Sequence, residues 1–168
     1  MAVLEIVKEG HPVLRKKAEP VAQVTKRIRK LVKDMLETMY EASGVGLAAP
    51  QVGISQRIIV VDVGEGPVVL INPEITQAAG TEIDSEGCLS IPGKWGYVER
   101  AREVVVTGLN ESGRSVRVQA EGLFARALQH EIDHLDGVLF IDRALEIKDE
   151  DQGEDQDEEQ DGPRQETR

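Results

Sequence analysis

The sequence predicts a single α+β domain in which mostly antiparallel strands pack around a central helix. Three observations lead there. Segments with helical apolar spacing lie on either side of the middle of the chain, β-branched runs fill that middle, and the connections between runs are too short for regular βαβ units. Taken in order, residues 24–42 carry Val24, Ile28, Leu31, Val32, Met35, Leu36 and Met39 at intervals of three and four. That spacing predicts an amphipathic helix, opened near Thr25 and stopped at Gly44. Arg57 to Val63 is a β-branched run and reads as a buried strand, followed by a second at Val68 to Pro73. Glu103 to Leu109 and Ser115 to Gln119 flank the turn sequence Asn110-Glu111-Ser112-Gly113-Arg114, which predicts a hairpin. A second helix is expected to begin near Gly122-Leu123, run through Leu135 and end before Gly137.

The chain has 168 residues, the size of one ordinary domain. The expected division is a folded domain over residues 1–147 and a disordered acidic tail over 148–168. From Asp149 onward there are ten acidic residues against Arg164 and Arg168, and no Val, Ile, Leu, Met or aromatic residue. Such a segment buries too little apolar surface to offset the entropy of ordering it. The overall charge of −11 repels phosphate backbones, and 3% aromatic residues leave little for base stacking, so direct nucleic-acid binding is not expected. No apolar run approaches the roughly 20 residues of a membrane span. The N-terminus lacks the basic-then-apolar order of a secretion signal, and the single cysteine, Cys88, rules out an internal disulfide. A cytoplasmic location is the expectation.

The most informative segment is His130-Glu131-Ile132-Asp133-His134. On a helix, positions i and i+4 share a face, so two imidazoles reach one metal ion while the intervening carboxylate remains free to act as a base. A polar helix face with capped or solvated histidines is the alternative explanation of such a spacing in isolation. Here, however, Leu123, Phe124, Ala127, Leu128, Ile132 and Leu135 make the helix a core element, where unpaired His and Glu are costly. Two imidazoles need a third protein ligand, and no histidine follows His134. Cys88, in Glu86-Gly87-Cys88-Leu89-Ser90, is the candidate, although a lone cysteine is more often a small buried hydrophobe. A thiolate with two imidazoles suits Zn²⁺ or Fe²⁺. A third feature is the loop Gly44-Val45-Gly46-Leu47-Ala48-Ala49-Pro50-Gln51, whose small residues permit close backbone approach.

Together these segments resemble the peptide deformylase family, marked by G-x-G-x-A-A-x-Q, E-G-C-x-S and H-E-x-x-H in that order. Gly44 to Gln51, Glu86 to Ser90 and His130 to His134 match all three. The resemblance extends over Gly10 to Arg15 and the Asn72-Pro73 step, and ends near residue 147. It implies a metal-dependent hydrolase that removes the formyl group from the N-terminal formyl-methionine of new polypeptides and releases formate. It implies Fe²⁺ as the physiological ion, replaceable by Zn²⁺, Ni²⁺ or Co²⁺, with Cys88, His130 and His134 as ligands. Glu131 is then the general base. The Gln51 amide and Leu89 backbone N–H are the oxyanion donors, and Gly46 offers backbone hydrogen bonds to an extended substrate. Val45, Leu123, Ala127 and the aliphatic part of Glu86 are expected to line the methionine pocket. Arg126, where some relatives carry an apolar residue, is expected to pack its stem and send its charge to solvent. Asp133 is expected as an orienting partner paired with Arg100 or Arg102, and His11 as a loop-surface residue. Some deformylases end in a basic helix that docks on the ribosome. The acidic residues after Lys148 do not support that mode, so any transient ribosome association needs another surface. Two readings remain open at this level: a zinc endopeptidase with its third ligand near Glu146, and a non-catalytic metal-binding module.

Overall fold

The computed structural model describes residues 2–149. Helix α1 spans Lys26–Glu41, its first turn capped by the Thr25 hydroxyl, which accepts from the Ile28 N–H. A five-stranded antiparallel sheet follows the order β1-β2-β3-β6-β7, built from Gly46–Ala48, Ile58–Val61, Val68–Ala79, Glu103–Leu109 and Ser115–Glu121. A smaller sheet holds β4 (Glu82–Cys88), β5 (Ile91–Arg100) and β8 (Glu146–Asp149). Helix α2 spans Gly122–Leu135, and a single turn, α3, covers Phe140–Arg143.

The four consecutive apolar residues of β2 show how the layers form. Side chains alternate across a strand. Ile58 and Val60 accordingly pack with Met35 and Met39 of α1, while Ile59 and Val61 pack with Leu128, Ile132 and Leu135 of α2. The strand is therefore apolar on both faces because a helix covers each one. Each such side chain contributes on the order of 1.5–3 kcal/mol of burial free energy. Two chain entries are pinned from outside the sheet. Asn72, at φ +55°, accepts from the Val21 N–H at 2.8 Å and donates to the Val21 carbonyl at 2.9 Å. Gly137 closes α2 at φ +77°, where a Cβ would lie 2.6 Å from the Arg15 carbonyl oxygen.

Both expected helices, the Arg57–Val63 run and the hairpin correspond to observed elements. The second expected strand runs six residues beyond Pro73, to Ala79. β8 continues the fold past the expected boundary at 147, pairing Lys148 with Trp95 and Asp149 with Lys94. The remainder of the expected tail lies outside the described residues. His11 is exposed, and its Nδ1 accepts from the Val13 N–H to cap a short 3₁₀ turn.

Candidate metal centre

Helix α2 divides into two faces. Ala125, Leu128, Ile132 and Leu135 belong to the core beneath the large sheet, and His130 and His134 point away from that core, one turn apart. The third group arrives on β4. Its register with β5 shifts between Glu86 and Cys88, a bulge that re-aims the strand end carrying the sulfur. The Cys88 Sγ lies 3.3 Å from His134 Nε2. One ligand atom from each of Cys88, His130 and His134 falls within 4.8 Å of the others. This is the only such grouping of His, Cys, Asp and Glu among the described residues.

The electrostatics around the cluster are tightly specified. Glu86 Oε1 lies 2.9 Å from His130 Nδ1. A carboxylate only accepts, so Nδ1 carries the proton and Nε2 is left as the electron-pair donor. Arg100 donates to both Glu86 oxygens at 2.6 and 2.9 Å, and Arg126 adds a bond to Oε2 at 2.8 Å. Burial alone would push the Glu86 carboxyl up, but the hydrogen bonds from His130 and Arg100 outweigh it and hold the group at about 2. For Glu131 the balance runs the other way: burial pushes it up to about 7 against the pull of His130. Its Oε1 is buried without a hydrogen-bond partner among the described residues. Such an atom is costly unless something polar meets it. Gly46 of β1 packs directly against this carboxylate, where a Cβ would come within 2.5 Å of Oε2.

Gln51, buried in the turn after β1, is oriented by its own bonds. Oε1 accepts from the Ala48 N–H at 3.0 Å, while Nε2 donates to Ser90 Oγ at 3.1 Å and reaches Cys88 Sγ at 3.6 Å. A cavity of about 490 Å³ opens onto the cluster. Val45, Gly46, Leu89, Leu123, Ala127 and Glu86 all line it. Val45 and Leu123 are 45% and 58% exposed, two apolar side chains left to water at its mouth. Lys94 lies on the rim, paired with Asp149 at 2.8 Å.

One expectation changes. Arg126 does not send its charge to solvent; it is 6% exposed and its guanidinium is held by Glu86 and by the Val98 and Glu82 carbonyls. A buried cation persists only where its donors are met, and here they are. Glu86 lines the cavity as expected, but its carboxylate turns to His130, a contact that residue type alone did not signal. Asp133 pairs with Arg100, as expected, and not with Arg102; Arg143 is its second partner. Glu146, the ligand position of the endopeptidase reading, is exposed on β8 and outside the cluster.

The thiol, the two Nε2-presenting imidazoles and the unpartnered carboxylate fit a divalent cation, since one sulfur and two ring nitrogens form a donor set that leaves further positions open. The fold and site define a metal-dependent hydrolase. A model of the polypeptide deformylase family matches residues 3–150. The peptide deformylase of Halothermothrix orenii is 59% identical over 152 residues, covering 89% of this chain and 99% of that protein. That of Carboxydothermus hydrogenoformans is 56% identical over 147 residues, with 88% and 97% covered. Among solved structures, the Thermotoga maritima peptide deformylase superposes with a TM-score of 0.85 at 49% identity, covering 87% of this chain and all of that one. The Synechococcus elongatus enzyme in complex with actinonin gives 0.83 at 49%, with 85% and 79% covered. The chain belongs to the polypeptide deformylase family. Its activity is removal of the N-formyl group from the N-terminal formyl-methionine of newly made polypeptides. No helix among the described residues is long and apolar enough to cross a membrane.

Proposed function

We propose that Cys88, His130 and His134 are the metal ligands, that Fe²⁺ is the physiological ion, and that Glu131, Gln51 and Leu89 perform the chemistry. The observation that carries this reading is the buried, unpartnered Glu131 Oε1 beside the three ligands. A divalent cation held there supplies Lewis-acid polarisation of the formyl oxygen and a lowered pKa for water. Glu131 takes the proton of the attacking water and hands it to the departing amine as the formyl C–N bond breaks, leaving formate and a free methionine N-terminus. Negative charge gathers on the former carbonyl oxygen, where the Gln51 amide and the Leu89 N–H donate. Because Gln51 Oε1 is committed to the Ala48 N–H, its NH₂ is aimed before substrate arrives. Gly46 hydrogen-bonds the peptide as an added strand. Val45, Leu123, Ala127 and the Glu86 stem receive the methionine side chain.

The test uses oxygen-protected full-length protein with formyl-Met-Ala-Ser, following formate release and casein cleavage in parallel. Formate release that is lost in Glu131→Ala at unchanged metal content supports these roles. Casein cleavage without formate rejects them. Iron as the resident ion predicts activity that decays in air and persists after nickel exchange. The nascent chain is met in the cytoplasm. Ribosome contact uses a surface other than a basic C-terminal helix, because residues 149–168 carry ten acids against two arginines, and the same acidity opposes direct nucleic-acid binding.

A further inference from the structure

Arg126 lies one helical turn before His130, and Glu86 lies two residues before Cys88. The Arg126 guanidinium spans three segments: Nη1 donates to Glu86 Oε2 at 2.8 Å and to the Val98 carbonyl at 2.9 Å, and Nη2 to the Glu82 carbonyl at 2.7 Å. One planar fork therefore fastens α2 to β4 and β5 together. Glu86, so held, meets His130 Nδ1 through its other oxygen. Arg100 grips the same carboxylate from the end of β5, and its Nη1 reaches Asp133 at 2.8 Å. The segment that carries the sulfur and the helix that carries the imidazoles otherwise belong to different layers. These polar ties act outside the large apolar core, beside a smaller apolar cluster in which Cys88 packs with Ile91, Val98 and Phe140 and Phe140 stacks on His130.

We propose that Arg126 is a positioning residue. Its three-way fork locks the strand bearing Cys88 against the helix bearing His130 and His134, so the ligand atoms are gathered before a cation arrives. This rests on reading those three side chains as the ligands. Arg126 also lines the cavity, and the three polar contacts of its guanidinium fasten α2 to β4 and β5. A lysine cannot replace it, since an ammonium on a flexible stem lacks the planar fork that meets three acceptors in two strands.

The test loads the full-length protein with Co²⁺, which is stable in air and has thiolate-sensitive absorption, and measures its release to a chelator. Arg126→Met is expected to release Co²⁺ about 10–100-fold faster than wild type, the usual cost of removing an outer partner of a metal ligand. Its thiolate-to-cobalt band is expected to shift, with Arg126→Lys intermediate. Leu128→Ala, which weakens the opposite face of the same helix, is expected to lose stability while keeping the wild-type band and release rate. Wild-type release and an unchanged band in Arg126→Met overturn the proposal. If that variant does not fold, the same result in folded Arg126→Lys overturns it. A wild-type protein that holds no stoichiometric Co²⁺ refutes the ligand reading itself and this inference with it.

Discussion

The two sheets divide the work of the molecule. The five-stranded sheet is apolar on both faces at its centre and packs between two helices, with Ile58, Ile59, Val60, Val61, Leu70 and Ile71 all buried. The three-stranded sheet has exposed residues along most of β4 and β8, and beside a small apolar cluster of Ile91 and Val98 with Leu14 and Phe140 it buries an ionic group, Glu86 and Arg100, with Arg126 arriving from α2. One region holds the fold by non-directional burial. The other holds geometry by hydrogen bonds, each with a required partner and angle. The difference explains why stability and chemistry should separate under mutation.

Four experiments press on that separation. The largest effect is expected on the chemical side: Glu131→Gln should lower kcat by about 10²–10⁴ while bound metal and melting temperature change little. A parallel loss of metal would assign Glu131 to the coordination shell. On the other side, Leu70→Ala should cost about 2–5 kcal/mol of stability and leave the Km of the folded fraction intact, as read by denaturant melts and steady-state rates. A large change in Km would mean that the apolar sheet shapes the site directly. Gln51→Ala should lower kcat by roughly 10²–10³ with little change in stability, since the proposed oxyanion donor is lost. An effect confined to Km would make Gln51 a binding residue instead.

The smallest effect tests the rim of the apolar region. The Tyr40 hydroxyl donates to Asp62 at 2.6 Å. That bond, with burial second, pushes the phenol up to about 12. A raised value means that the contribution is complete below the ordinary tyrosine range near 10 and is lost as pH rises through about 12. Asp62, held below the usual carboxylate range chiefly by the same bond, gives the opposite limb, losing its contribution as pH falls through the carboxylate range. Melting temperatures of wild type and Tyr40→Phe should therefore differ slightly at neutral pH and converge towards both extremes. A gap that persists unchanged at high pH would show that the hydroxyl bond contributes nothing.

What could be read from the sequence follows the same division. The helix at 26–41, the run at Ile58–Val61 and the hairpin strands were legible because period and β-branching report burial on an apolar face. The His pair was legible from its i, i+4 spacing and Cys88 as the sole thiol, and the three side chains do lie together, whereas Gln51 was singled out by family resemblance. β4 and β5 were not, since Glu82-Ile83-Asp84-Ser85-Glu86-Gly87-Cys88 shows no apolar alternation and becomes a strand only by pairing with Ile91–Arg100. Polar residues 74–79 hid the length of β3 for the same reason. The burial of Arg126 was illegible because nothing in a residue's type reveals that two carbonyls and a carboxylate wait for it.

The pairing of Lys94 with Asp149 has a practical corollary. β8 brings Asp149 beside Lys94, which lines the chamber over the metal cluster, so a fluorophore or affinity handle placed on Asp149 itself sits next to that chamber. Attachments for assays or immobilisation are better sited in the exposed turn at Asn110 to Arg114, which is not among the chamber walls.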